Sequence, residues 1–149
     1  AVIERHRGSG RIGMGLVRGF GLQGGAIASS VAHDSHNVIV VGTNDRDMCH
    51  AAETLREMGG GMVAVRSEKT LAKVPLQVAG LMSVESVDVL VKQLNILETA
   101  VASLGCTISD PFMRLSFLAL PVIPQLRLTD RGLVDVDAFD LVPLFVQER

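Results

Sequence analysis

A chain of 149 residues is the size of one domain and can bury roughly 68–70% of its unfolded surface, so it needs no disulfide or metal staple to hold a core. With 48% apolar and 20% charged residues the composition is globular rather than disordered, and five Phe with no Trp or Tyr make the expected core aliphatic. A formal net charge of -2, from 14 basic and 16 acidic side chains, argues against a nucleic-acid binder or a protein drawn to acidic membranes, both of which need a basic patch.

The first 25 residues contain eight of the fifteen glycines. Between Gly8 and Gly25, Met14, Leu16, Val17 and Phe20 read as a short strand entered and left by flexible turns. Ala26 to Ala32 and Asn37 to Val41 are rich in Val, Ile and Ala and read as two strands, or as one interrupted strand. The period then changes. Asn44 is placed to cap a helix with Asp45 and Asp47 in its first turn, Met48, Ala52, Leu55 and Met58 share one face, and Gly59-Gly60-Gly61 ends it.

Met62 to Arg66 and Thr70 to Leu76 read as a hairpin around Ser67-Glu68-Lys69. The longest helical stripe is Val87, Leu90, Val91, Leu94, Leu97, Val101 and Leu104, with Ser83 as the expected N-cap and Gly105 as the stop. Asp110-Pro111 opens a third helix that closes before Pro121, with Asp as cap and Pro at the first helical position. Gln125 to Val136 reads as strand, Asp130-Arg131-Gly132 turn, strand. Hairpins outnumber βαβ units in this order. The expected class is therefore α+β: a mixed, largely antiparallel sheet with two to three helices packed on it as a layered sandwich, over residues 1–149 as a single domain.

Several motifs carry chemistry only in the right context. Gly8, Gly10 and Gly13 spell G-x-G-x-x-G, but no buried strand precedes them and no helix N-terminus follows, so a dinucleotide site is not expected. Arg5, Arg7, Arg11 and Arg18 read as solvated loop charges, and His6, His50, Glu53 and Glu57 as exposed. Cys49 and Cys106 are far apart, which favours a reducing, cytoplasmic setting. No signal peptide and no apolar run long enough for a membrane span is visible in these residues, and Ala1-Val2-Ile3-Glu4 has the look of a fragment's start.

The stretch His33-Asp34-Ser35-His36 is the densest polar cluster. On one continuous strand the two imidazoles would point to opposite faces; across a tight hairpin they would be neighbours, with Cβ atoms roughly 4.5–5.5 Å apart. Asp-Ser is a poor two-residue hairpin loop, because neither residue favours positive φ. Three readings stay open at this level: a structural turn, a ligand contact, or two ligands of a divalent metal. A Ser-His-Asp hydrolase triad drawn from Ser29, Ser30, His33 and Asp34 is not expected, because residues so close on an extended chain rarely converge.

Five segments in order carry a resemblance: G-F-G-L-Q-G-G-A-I-A-S-S-V-A-H-D-S-H-N-V-I-V-V-G-T-N-D, G-G-G-M-V-A-V, P-L-Q-V-A-G-L-M-S, D-P-F-M-R-L-S-F-L-A-L-P-V-I-P and L-R-L-T-D-R-G-L-V-D-V. From about Val2 to Phe145 the chain resembles the C-terminal domain of bacterial adenine deaminases, which belong to the metal-dependent amidohydrolases. The resemblance implies hydrolysis of adenine to hypoxanthine and ammonia by a metal-bound hydroxide, with manganese or iron at the mouth of a (β/α)8 barrel. This chain has no H-x-H pair and is too short for that barrel, so the barrel is expected N-terminal to Ala1 and no metal ligand is carried over to any residue here.

The resemblance thus implies a domain that packs on its own barrel and helps cover the active-site mouth. His33, Asp34, Ser35 and His36 are the candidates to lie near the substrate or to keep a polar turn. Adenine is the implied ligand, nucleic acid and membrane are not implied as partners, and a homo-oligomer is left open. The alternative is a purely structural or oligomerisation module with no contact to substrate.

Overall fold

The computed structural model describes residues 1–145. In chain order the elements are β1 (Val2–Ile3), β2 (Ile12–Gly13), β3 (Ala26–Ser29), β4 (Val38–Gly42), α1 (Asp45–Glu57), β5 (Gly61–Arg66), β6 (Lys69–Pro75), α2 (Val87–Ser103), α3 (Pro111–Leu118), β7 (Leu126–Thr129), β8 (Gly132–Asp135) and β9 (Asp140–Val142). Six strands form one antiparallel sheet in the order β2-β1-β4-β3-β5-β6, and the last three form a second sheet, β7-β8-β9. The α+β class expected from the order of elements holds.

The main sheet is covered on both faces, which explains why its central strands are apolar throughout rather than alternating. Ala26, Ala28, Val38, Val40, Val63 and Val65 face Ala51 and Leu55 of α1. Ile27, Ile39, Val41, Ala64 and Val74 face the opposite way, onto Leu97, Val101 and Leu115 of α2 and α3. Small residues on the α1 face let the helix approach closely. Burying each Leu contributes roughly 1.5–3 kcal/mol relative to exposure.

Local details refine the expected elements. Asn44 caps α1 as its residue type predicts, its Oδ1 accepting the Asp47 N–H at 2.9 Å. Asp47 does more than complement the helix dipole: its Oδ1 accepts the Glu68 N–H at 2.7 Å and so ties α1 to the β5–β6 hairpin. That hairpin turns on two residues, Ser67 and Glu68, both at positive φ, the signature of a type I′ turn.

Helix α2 begins with the stripe, at Val87, and later than a cap at Ser83 implies. Its N-cap is Ser86, and Ser83 instead accepts the Glu85 N–H at 3.1 Å in a turn of its own. In the N-terminal half of the stripe Val87, at 74%, and Val91 are exposed, while Leu90 and Leu94 are partly buried against the core. At α3, Pro111 starts the helix as expected, but Asp110 is left-handed and gives no side-chain cap.

The glycine-rich segment pairs only at Ile12–Gly13, against Val2–Ile3, a strand the sequence did not announce. Gly13 lies against the β7–β8 turn; a Cβ there would stand 1.8 Å from the Thr129 carbonyl oxygen, so no other residue fits. This contact seats the second sheet on the first. Gly8 and Gly10 lie in the loop before β2 and precede no helix.

Candidate functional site

Strands β3 and β4 pair from Ala26↔Gly42 to Ser29↔Ile39, and the chain between them, residues 30–37, carries the polar cluster. It is a longer loop than a two-residue hairpin, so His33 and His36 are not ladder neighbours. The His36 N–H donates to the Ala32 carbonyl at 2.6 Å, and His36 itself is left-handed at φ 50. This fold-back brings the two imidazoles to one patch, ring centroids 6.2 Å apart and edge to face at 72°. His33 also lies against Phe117 of α3, centroids 5.4 Å apart.

The backbone of this turn is fastened from several directions. Arg5, just past β1, donates from Nε to the His36 carbonyl at 2.5 Å and from Nη2 to the Ala79 carbonyl at 2.7 Å. His6 Nε2 meets the Ser35 carbonyl at 2.7 Å, a contact that needs the tautomer carrying its proton on that nitrogen. Asn37, buried at the end of the loop, donates from Nδ2 to Asp130 Oδ1 at 3.3 Å, and Asp130 pairs with Arg11 at 2.8 Å. Arg5 and Arg11 are therefore not the free loop charges that the sequence suggested, and His6 is not simply solvated.

Glu4 organises the residues that reach the turn. Its carboxylate accepts the backbone N–H groups of His6 (2.5 Å), Arg7 (2.7 Å) and Ser9 (3.0 Å), together with the Ser9 hydroxyl at 2.9 Å. These donors, the Ser9 N–H foremost, hold the Glu4 carboxyl down to about 2. A Glu4 ionised at neutral pH thus shapes the loop that presents Arg5 and His6.

While the backbone is committed, the side chains of the cluster are not. Among the described residues His33 and Asp34 make no side-chain hydrogen bond, and Nδ1 of His36 is buried without a partner. Burial, with the neighbouring His33, Arg5 and His6 charges, pushes the His36 imidazole below its ordinary pKa, against a smaller opposing pull from Asp34. His36 is accordingly a neutral donor and acceptor at pH 7, suited to a polar, uncharged ligand. Among the described residues no three His, Cys, Asp or Glu side chains converge as metal ligands.

His50 lies on α1 with Nε2 3.3 Å from the Thr70 hydroxyl, remote in sequence from the turn, and Glu53 is ion-paired with Arg56 on the exposed helix face. The site residues that the sequence reading passed over are Arg5, His6, Asn37, Phe117 and Asp130. No local pattern marks them, because each acts through a contact distant in the chain. A charged run, Glu4-Arg5-His6-Arg7, directly after an apolar pair was the one available signal.

Comparison with known proteins supplies the context. The family model described as the adenine deaminase C-terminal domain matches residues 1–140. A protein named adenine deaminase from Desulfatibacillum aliphaticivorans is 57% identical over 145 residues, which are 97% of this chain and 26% of that protein. Namesakes from Methanothrix thermoacetophila and Dehalococcoides mccartyi are 56% and 58% identical, covering 99% and 95% of this chain and 26% and 25% of their own lengths. The chain spans about a quarter of the length of the curated relatives it matches.

Proposed function

Because the chain belongs to the adenine deaminase C-terminal domain family, we propose that it serves a longer cytoplasmic enzyme that hydrolyses adenine to hypoxanthine and ammonia. In this reading residues 1–149 are one domain packed on a preceding (β/α)8 barrel, and the turn His33-Asp34-Ser35-His36 faces the barrel's active-site mouth.

One observation supports the placement of the turn: its backbone is held by Arg5, His6 and Asn37 while Nδ1 of His36 is buried without a partner. A turn that served only the fold would pair that nitrogen, since an unpaired buried polar atom costs about 1–3 kcal/mol. Facing a purine, a neutral His36 donates or accepts at a ring nitrogen or the exocyclic amine, and His33 beside Phe117 offers a flat wall. The divalent metal of the family, manganese or iron, finds no group of three ligating side chains among the described residues and is assigned to the barrel.

The test is kinetic. In the full-length enzyme His33→Ala and His36→Ala should each lower kcat/KM for adenine by about tenfold or more, with an unchanged circular dichroism spectrum. Unchanged kinetics in both would reject the role. A second reading, an oligomerisation module, draws on the exposed apolar residues Val84, Val87 and Val91 before and along the first turns of α2. A change in assembly state of the full-length enzyme on Val87→Glu, with the histidine variants fully active, would favour it.

A further inference from the structure

The main sheet has a gap where a strand belongs. Ala1 and Val40 exchange both backbone hydrogen bonds, the Ala1 amino group donating at 2.8 Å and the Val40 N–H donating back at 2.9 Å. In an antiparallel ladder the groups that face one neighbour recur every second residue. Gly42 therefore presents its N–H and carbonyl to the same side as Val40, and the described ladder between β1 and β4 stops short of it.

A groove of about 700 Å³ runs along this unpaired edge, from Val40 past Gly42 to Asp45, and its far wall is the chain from Met14 to Phe20. That wall continues β2 in the direction it would take if it had a partner, since β2 pairs with β1 through Val2↔Gly13 and Ile3↔Ile12. Ile12, Met14 and Leu16 fall on one face at strand spacing and stay exposed, Leu16 at 83%. An apolar row of this kind at a sheet edge is a template for another strand. The alternation that marks a strand from Met14 onward is present in the sequence, yet pairing ends at Gly13.

The relatives show where a partner comes from. They are matched over about a quarter of their length by this chain, and the matching family is a C-terminal domain, so in those proteins polypeptide leads into Val2. We propose that the residues immediately preceding Ala1 in the parent polypeptide fill this groove as an extension of β1, inserted between the Gly42 end of β4 and the Met14–Val17 segment. The second residue before Ala1 stands opposite Gly42 and exchanges both hydrogen bonds with it, and β2 then lengthens along the other side. The inference rests on the family reading for its upstream segment, and it makes the joint between this domain and what precedes it a β-strand rather than a free linker.

Hydrogen exchange in the full-length parent protein, resolved to single amides, tests it. The Gly42 amide should exchange at least 100-fold more slowly than an unprotected glycine amide; near-unprotected exchange at Gly42 in the folded parent would overturn the proposal. Proline at the second position before Ala1 removes the N–H that the Gly42 carbonyl accepts, and a proline is not accommodated in a strand paired on both sides, so it should expel the segment and return the Gly42 amide to fast exchange while Val40 stays protected. Persistent slow exchange at Gly42 in that variant would also overturn it. Adenine deamination by the same samples reads the functional assignment separately: fast exchange with activity intact removes only the strand, and slow exchange without deamination removes only the enzyme reading.

Discussion

Arg5 occupies the space that a side chain at position 80 would need: a Cβ on Gly80 would stand 2.8 Å from Arg5 Nη1. Gly80 also has φ 74, which an L-residue adopts at a cost. The guanidinium placed there reaches the carbonyls of His36 and Ala79 together.

Arg5→Met and Gly80→Ala should each destabilise the chain by about 1–3 kcal/mol, the first by stranding two carbonyls and the second by displacing the guanidinium that serves them. Because both act on one arrangement, the double variant should lose clearly less than the sum. A denaturant double-mutant cycle measures this, and strict additivity would contradict it.

Ser30 is fully buried, donating to the Gly80 carbonyl at 2.6 Å and accepting the Gly61 N–H at 2.7 Å. Ser30→Ala leaves both groups without a partner in a dry place. A loss of about 2 kcal/mol or more is expected from urea unfolding.

Acid should lower the stability of the chain in two stages. The folded state holds His36 below its ordinary 6.5, so it favours the neutral imidazole; that stability is complete above about 6.5 and is lost as the pH falls through the lower folded value. Glu4, held at about 2 against 4.5, contributes stability that is present above about 4.5 and lost as the pH falls towards 2. His36→Asn, with a residue that tolerates φ 50, should erase the upper stage of a melting-temperature profile, and Glu4→Gln the lower.

Leu97→Ala on the buried part of α2 should cost about 2–5 kcal/mol, whereas Val87→Ala, one turn into solvent, should stay within about 0.5 kcal/mol in this chain. In the full-length protein a larger cost at Val87 would show that the upper half of the helix is covered there.

Elements that depend on local chemistry were legible. The Asn44 cap, the Pro111 helix start, the Asp130–Arg131 turn and the long apolar stripe of α2 each depend on residues within a turn or two of one another. What escaped depends on distant partners. Val2–Ile3 is too short to show a period and is a strand only because β4 lies beside it, and Asp140–Val142 pairs only because β8 does. Ser83 looked like the α2 cap because it has the right chemistry, but Ser86 sits nearer the first buried turn and takes the position. The polar turn was visible as composition; its fastening by Arg5, His6 and Asp130 was not, since no spacing rule links residues so far apart.

The bond from Asn37 to Asp130 spans 93 residues. Closing so long a loop is among the slowest events open to a chain of this size. As the polypeptide leaves the ribosome, β3 and β4 can pair early, but their connecting turn lacks its last tether until the β7–β8 hairpin has been made and folded back. A chain cut short before Asp130 would carry the His33-Asp34-Ser35-His36 residues without their finished setting. Completion of the turn therefore reports that synthesis has passed the β7–β8 hairpin.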